Sequence, residues 1–576
     1  MKITGAQLFV KALKEEQVDT LFAYPGGQVI DIFDALYGET EIQIVLPRHE
    51  QALVHAADGY ARSTGKVGVC LVTSGPGATN LVTGIATANY DSVPLVCFTG
   101  QVSTALLGND AFQEVDIVGI TRSIAKYAVM VRKREELAET IKKAFYIART
   151  GKPGVVVVDL PKDIQQAYGS DAYPSEIQVR GYRPKAAVHM GQLNRALEVL
   201  NRGQRPVFLA GGGVQIARAG REMTKLAELT GVPVVTTIMG KGAVPSDHRL
   251  YVGNIGIHGS YAANSAVSRC DVLFSIGTRF NDRITGKIGT FAPNAKIVHI
   301  DIDAASISRN VAVDVPVVAD AKEALCSLLE KARLLETNSW LEKICSWKKE
   351  CPVTMEGSKV TPRKIFGVIN ELFPDAVIAA DVGQNQMWAA QFLELNEHRQ
   401  LLTSGGLGTM GYGFPAALGA KLGNPKKTVI AVSGDGGVQM NLQELATAVV
   451  CELPVILCIL NNGYLGNVRQ WQQQFYQKRY SLTCMRWRKG CPPGCNQPGE
   501  NCPDYTPDFV RLAESYGAKG IRVTEEGQIR EAFQRAKQNT RIPTVIECII
   551  DRECNVLPIV PPGNSLGDMI LQEGER

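Results

Sequence analysis

The stretch from Thr428 to Tyr464, TVIAVSGDGGVQMNLQELATAVVCELPVILCILNNGY, leaves this chain few folds to choose from. Val429 to Val432 is a short apolar run of the kind a buried strand needs, and Gly434-Asp435-Gly436-Gly437 turns the chain at its end. Asn441, with Glu444 three residues later, predicts a capping box that opens a helix running to Val450. Pro454 closes that region, and a second apolar run, Val455 to Leu460, stops at Asn461-Asn462-Gly463. A strand–helix–strand unit crosses over right-handed and lays both strands parallel in one sheet. Asp435 and Asn462, 27 residues apart, then stand at carboxyl strand ends, where open α/β sheets hold ligands. One carboxylate and one amide carbonyl form a hard-oxygen set suited to Mg²⁺ that also holds diphosphate oxygens. Glycines on either side let backbone N–H groups approach those phosphates. A ligand-free Gly-rich turn explains the glycines alone, but not the amide at the required distance.

Bulk properties narrow the class further. A chain of 576 residues has room for about three domains, and 45% apolar content is ordinary for a soluble α/β protein. Sixty-one Lys and Arg against 57 Asp and Glu leave a net charge of only +4, which argues against nucleic-acid or membrane-surface binding. No apolar run approaches 18 residues, and MKITGAQLFVKALKEEQ reads as an amphipathic helix rather than a signal peptide, so a cytoplasmic protein is expected. Ten of the fourteen cysteines are scattered, several in strand-like runs (Cys70, Cys97, Cys458), where a reduced thiol packs as a small apolar group.

Three α/β domains follow, each a doubly wound parallel sheet, at 1–185, 186–350 and 351–576. In the first, strands are expected at Thr20–Ala23, Ile42–Leu46, Val67–Thr73, Pro94–Thr99 and Gly154–Leu160. Their ends carry Tyr24-Pro25-Gly26-Gly27, Arg48-His49-Glu50 and Ser74 to Asn80, which should collect on one rim. Glu50 at a helix start could simply complement the helix dipole, worth roughly 0.3–1 kcal/mol. A linker is expected at Gln165 to Lys185. The middle third repeats the rhythm with strands at Pro206–Ala210, Pro233–Thr237, Asp271–Gly277, Ile297–Asp303 and Val315–Asp320. Gly211-Gly212-Gly213 is by itself a weak dinucleotide signal. A charged helical connector, about 325 to 360, leads to the third domain, where Asp381-Val382-Gly383-Gln384 ends the first strand.

Gly-Asp-Gly followed by Asn-Asn resembles the cofactor motif of thiamine diphosphate enzymes. The resemblance implies a metal, Mg²⁺, held by Asp435, Asn462 and the backbone carbonyl of Tyr464. Arg48-His49-Glu50-Gln51 resembles the family motif whose glutamate activates the cofactor by a hydrogen bond to its aminopyrimidine ring. Gly277-Thr278-Arg279-Phe280-Asn281-Asp282-Arg283 resembles the Arg-Phe-Asp-Asp-Arg motif of FAD-containing acetohydroxyacid synthases, with Asn281 a conservative departure. FAD-free catabolic relatives lack it. The flavin segments map to His258–Arg279 and Asp301–Asp320; Lys152 stands where the family has Arg, a point charge in place of a planar fork.

The whole chain resembles the large, catalytic subunit of the biosynthetic enzymes. What this implies is pyruvate decarboxylation on thiamine diphosphate, then condensation with pyruvate or 2-ketobutyrate in branched-chain amino-acid synthesis. It further implies FAD without a redox role, a homodimer or tetramer whose sites join the first domain of one subunit to the third of its partner, and a small regulatory subunit. Gln113 and Lys126 join the catalytic set by the same resemblance, with Gln384 and Gly408 near the cofactor and Met410 as the wedge that bends it. Arg283 resembles the acceptor carboxylate's anchor, and Trp471 the residue at its alkyl end, with Asn467 where the family has Met. Glyoxylate carboligase is the nearest rival, disfavoured by Glu50; pyruvate oxidase and a non-catalytic homologue are the others. The spacing of Cys484, Cys491, Cys495 and Cys502 in a Pro- and Gly-punctuated loop leaves open a Cys₄ metal site, free thiols or redox-linked disulfides.

Overall fold

The computed structural model describes residues 2–184, 187–355, 360–485, 495 and 505–572. Twenty strands run through these described residues. A short pair, β1 (Lys2–Thr4) and β8 (Tyr168–Ser170), is antiparallel. The N-terminal sheet holds β2 (Thr20–Ala23), β3 (Gln43–Val45), β4 (Gly68–Val72), β5 (Leu95–Gln101), β6 (Tyr127–Met130) and β7 (Val155–Pro161). The central sheet holds β9 (Pro206–Ala210), β10 (Val234–Thr236), β11 (Tyr251–Asn254), β12 (Val272–Ile276), β13 (Lys296–Asp301) and β14 (Val315–Val318). The C-terminal sheet holds β15 (Val377–Ala380), β16 (Gln400–Thr403), β17 (Val429–Gly434), β18 (Ile456–Asn461), β19 (Lys519–Val523) and β20 (Thr544–Ile549). All three six-stranded sheets are parallel, as their near-continuous runs of Val, Ile, Leu and Ala require when both faces are covered.

The order of the N-terminal sheet is β3-β2-β4-β5-β7-β6, and that of the C-terminal sheet β16-β15-β17-β18-β20-β19. These are the same topology. The central sheet, β11-β10-β9-β12-β13-β14, is wound differently and reverses between β9 and β12. The helix Glu50–Thr64 of the N-terminal unit crosses the helix Gly413–Gly423 of the C-terminal unit at very close range. A Cβ on Gly59 would lie 2.0 Å from the Ala416 carbonyl oxygen, and one on Gly419 would lie 1.7 Å from that of Ala56. Only glycine permits such backbone contact.

The joint also holds a buried charge network. The Arg62 guanidinium donates to both Asp58 oxygens (2.6 and 3.2 Å) and to Asp91 (3.0 Å), while the Tyr412 hydroxyl donates to Asp58 (2.6 Å). Asp91 also accepts the Gly405 N–H at 3.0 Å.

Several expectations give way to tertiary contacts. The chain opens with β1 before its first helix, Gly5–Glu15, which Thr4 and Gln7 cap reciprocally. The expected linker from Gln165 contains β8, and Tyr173 and Tyr182 pack on the N-terminal core. β6 and β11 are strands where none was expected, β6 being only half-buried. The Gly434–Gly437 segment is the start of a short helix, Asp435–Val438. No capping box forms at Asn441: the helix is Glu444–Val450, with no side-chain bond at its cap. Asn441 instead donates to the Gly411 carbonyl at 2.8 Å, and the Glu444 carboxylate accepts the Arg48 N–H at 2.9 and 3.0 Å. A contact inside the C-terminal unit has claimed the Asn441 side chain, and one from the N-terminal unit has claimed Glu444. The connector's Trp340 and Trp347 are buried against the central unit, together with Val560 and Leu566 from near the C-terminus.

Candidate active site

Two clusters form on strand ends. In the C-terminal unit, β17 and β18 are adjacent and parallel, and this sets Asp435 beside the segment Asn462–Tyr464. Asp435 Oδ2 accepts the Gly463 N–H at 2.9 Å, and Asn462 Oδ1 accepts the Tyr464 N–H at 3.1 Å. Asn462 Nδ2 donates to Gln384 Oε1 at 3.2 Å. Burial pushes the Asp435 carboxyl up to about 7, against the pull of its backbone donors. Among the described residues no group of three His, Cys, Asp or Glu side chains is placed to hold a metal. A cation here would therefore take one carboxylate, neutral oxygens and ligand oxygens, the donor mix that hard divalent ions accept. The residues fit Mg²⁺.

Met410 lies over the Gly434–Gly437 segment, its methyl 3.8 Å from where a Gly436 Cβ would stand, with Leu465 and Met485 beside it. Its loop is clamped by a residue that sequence reading passed over as a strand end. Asp381 accepts the N–H groups of Gly411 and Gly413, each at 3.0 Å, and burial raises its carboxyl to about 6. Two acceptances at i and i+2 of a downstream loop carry no local sequence signal. Gly408, at φ +76°, has open space where a side chain would be.

In the N-terminal unit Glu50 opens its helix, half-buried, and Oε2 accepts from Asn80 Nδ2 at 3.0 Å. A Cβ on Gly77 would approach Glu50 Oε1 to 3.6 Å, and one on Gly75 would meet Gln113, itself at φ +62°. Gly26 packs on Thr73 while Gly27 faces open space, so Tyr24, Pro25, Gly26 and Gly27 share this rim. Among the described residues no hydrogen bond or ion pair joins the Glu50 and Asp435 clusters. Lys126 is not on the Glu50 rim. It precedes β6 at the opposite end of the sheet, where Nζ donates to Ile147 O, Thr150 O and Tyr182 Oη; burial, then the Lys152 charge, lowers it to about 8.

A cleft of about 1800 Å³ lies outside the carboxyl ends of the central strands and is walled by all three units. It exceeds the roughly 300–1,000 Å³ of common small-molecule sites, leaving room for a dinucleotide. Where the strand order reverses, the Gly213 N–H donates to Gly277 O at 3.0 Å, and a Cβ on Gly211 would come within 2.2 Å of that oxygen. Backbone packing this tight at the switch point opens the cleft mouth. Lys152, Gly212, Gly213, Gly277, Arg279, Arg283, Asp301 and Asp320 line it. Asp320 also caps the helix Ala321–Leu329, and Lys152 pairs with Asp303 at 3.1 Å. Asp282 is 79% exposed and only 3.7 Å from Arg283. His258 stands outside the cleft lining, its Nδ1 without a partner, and burial lowers it to about 4. The cleft fits FAD.

Trp471 and Arg283 come from different units, yet the Arg283 guanidinium lies over the Trp471 ring at 5.7 Å. Cys484 is buried and its backbone bridges Tyr464. Cys491 and Cys502 lie outside the described residues, so a four-cysteine arrangement cannot be placed.

Comparison with known proteins gives this geometry its class. Family models for the thiamine pyrophosphate enzymes match the chain three times: the N-terminal TPP binding domain at 3–120, the central domain at 193–328 and the C-terminal TPP binding domain at 381–548. The acetolactate synthase large subunit of Corynebacterium glutamicum is 45% identical across 100% of this chain and 91% of its own length. A probable acetolactate synthase large subunit of Methanocaldococcus jannaschii is 46% identical (98% and 95%), and the isozyme 3 large subunit of Escherichia coli 42% (100% and 99%). The chain belongs to the acetolactate synthase large subunits of the thiamine pyrophosphate enzyme family.

Proposed function

We infer that this chain is a thiamine diphosphate-dependent acetolactate synthase. It removes CO₂ from pyruvate and joins the remaining two-carbon unit to pyruvate or 2-ketobutyrate, for branched-chain amino-acid synthesis. The observation that carries the reading is the full-length identity to acetolactate synthases, combined with Asp435 and Asn462 on adjacent strand ends. Three domains are proposed at 1–185, 186–350 and 351–576, for the cofactor's pyrimidine, for FAD and for its diphosphate.

Thiamine diphosphate, when bound, supplies the electron sink for decarboxylation. Asp435, Asn462 and the Tyr464 carbonyl would hold Mg²⁺, and the Gly434–Gly437 backbone the diphosphate. Glu50 would hold a proton for the pyrimidine ring, and Met410 would pack against the bound cofactor. Arg283 offers a planar fork to the acceptor's carboxylate, while Trp471 walls its alkyl end. FAD would bind the central cleft in a non-redox role, since the reaction transfers no net electrons.

Glu50 and Asp435 belong to unlinked clusters, which supports a homodimer that closes each site with one unit from each copy. Large apolar groups left exposed near both clusters, Phe112 at 84% and Met440 at 53%, suit that cover. A small regulatory subunit is proposed from the naming of the relatives as large subunits. The test is acetolactate formation by purified protein given pyruvate, thiamine diphosphate, Mg²⁺ and FAD. No product, or stoichiometric bleaching of the flavin by pyruvate, overturns the reading.

A further inference from the structure

The Trp471 helix, Gly466–Phe475, is anchored by its neighbour Gln470, which is fully buried and has no role in the site as read so far. Every hydrogen-bonding position of the Gln470 amide is taken. Oε1 accepts from Val556 N at 2.8 Å and from Gln384 Nε2 at 3.0 Å. Nε2 donates to Val556 O at 2.9 Å and to Gln474 Oε1 at 3.4 Å. A primary amide has two acceptor sites and two donors, so this one is saturated. Its orientation is also fixed, because the Val556 N–H can only donate and its carbonyl only accept.

Two paths meet at this amide. One runs back to the metal ligand: Asn462 donates to Gln384, and Gln384 donates to Gln470. The other runs along the C-terminal segment from Val556. Four residues on, Val560 N donates to Ile257 O at 2.8 Å, and Ile257 N donates to Arg283 O at 2.8 Å. Arg283 then returns over the Trp471 ring, next to Gln470. The circuit therefore starts and ends on one helix, and Gln470 closes it at Val556. Beside it, Arg469 donates to Cys554 O at 3.1 Å and Asn555 Oδ1 at 2.9 Å, and Gln473 accepts from Asn555 Nδ2 at 3.0 Å.

We propose that Gln470 is a positioning residue for acceptor selectivity, setting the separation of Trp471 from Arg283. The proposal rests on the acceptor roles given above to Trp471 and Arg283. Gln470 touches neither substrate nor cofactor; it acts through Trp471. Removing its amide leaves the Val556 N–H and carbonyl buried and unpaired, so the C-terminal segment shifts and the pair loses its spacing.

The test is competition between pyruvate and 2-ketobutyrate in the full-length enzyme, scored as the ratio of the two products. Gln470→Met, of equal reach, should cut the preference for 2-ketobutyrate at least fivefold while half-saturation by thiamine diphosphate and Mg²⁺ stays within twofold. Trp471→Leu should erase the preference, and the double variant should match it, since a residue acting only through Trp471 has nothing left to position. An unchanged ratio in Gln470→Met, beside an altered one in Trp471→Leu, overturns the role of Gln470. So does a further drop in the double variant. Ratios unchanged in both single variants overturn the acceptor reading itself. Gln470→Asn keeps the amide but falls short of Val556; it should show the same loss and serves if the Met variant is insoluble.

Discussion

The N-terminal and C-terminal units share one strand order and oppose different chemistry at its ends. In each, the second strand in sequence leads into a helix with the pattern Ala-x-x-Gly: Ala56 and Gly59 in one, Ala416 and Gly419 in the other. Each glycine rests on the other helix's alanine carbonyl. The two units are thus related by an approximate twofold within a single chain. Six residues before each alanine stand Glu50 and Met410. Equivalent places in one architecture carry a carboxylate in one unit and an apolar methionine in the other. After the third strand the contrast repeats, with the neutral loop Ser74–Asn80 against the acidic segment Gly434–Gly437. The lesson is that the sheet order supplies the rim, and single side chains set its chemistry; on the proposed function they divide ring from diphosphate between the two rims.

Substitutions at equivalent places should therefore fail differently. The largest loss is expected for Asp435→Ala, which removes the only carboxylate of the proposed metal set. Mg²⁺-dependent thiamine diphosphate binding should disappear, read as loss of the cofactor's thermal protection. Unchanged affinity would contradict the assignment. Glu50→Gln should leave that binding intact and lower turnover on the order of 10²–10⁴-fold, since an amide cannot share the proton. Near wild-type rates at saturating cofactor would refute it, and with it the division of labour between the two rims.

The helix crossing itself offers the next test. Gly419→Val forces a side chain into the Ala56 backbone; overpacking of this kind costs typically 1–3 kcal/mol, and backbone cannot yield as a side chain would. A lowered urea midpoint is expected, and a midpoint within error of the parent would show the joint to be softer than its contacts suggest.

The last effect concerns pH, and it is small near neutrality. His55 packs edge-on against Tyr412 at 5.4 Å, and burial, with Arg62 nearby, lowers it from 6.5 to about 3. Between those values the unfolded chain binds the proton and the folded chain does not, so stability falls as pH drops through the window. The ceiling is about 5 kcal/mol at its acid end. Stability measured from pH 7 to 4.5 should decline more steeply for the parent than for His55→Phe; parallel slopes would remove His55 from the account.

Period-2 alternation is absent from these strands, and unbroken apolar runs bounded by Gly, Asp and Asn were enough to reveal parallel sheets and the rim residues at their ends. That is why Asp435, Asn462 and the Gly211–Gly213 turn were legible: each is tied to the end of a buried run, whereas the strand before Glu50 is largely exposed and its helix start was the signal. β6 escaped because it is half-buried and polar-flanked, and the local pattern at Asn441 and Glu444 misled because a contact nearly 400 residues away in sequence, Arg48 to Glu444, outbid it.

The chain's own order of residues determined three parallel α/β layers and which strand ends carry carboxylate, amide and glycine, because burial of continuous apolar runs dictates both. Tertiary structure alone decided that Asp381 clamps the Met410 loop, that Lys126 sits at the far end of its sheet, and that Arg283 meets Trp471. Those are pairings between separate segments, fixed by hydrogen bonds at Asp381 and Lys126 and by a guanidinium–ring contact at Arg283, whose partners no local spacing can name.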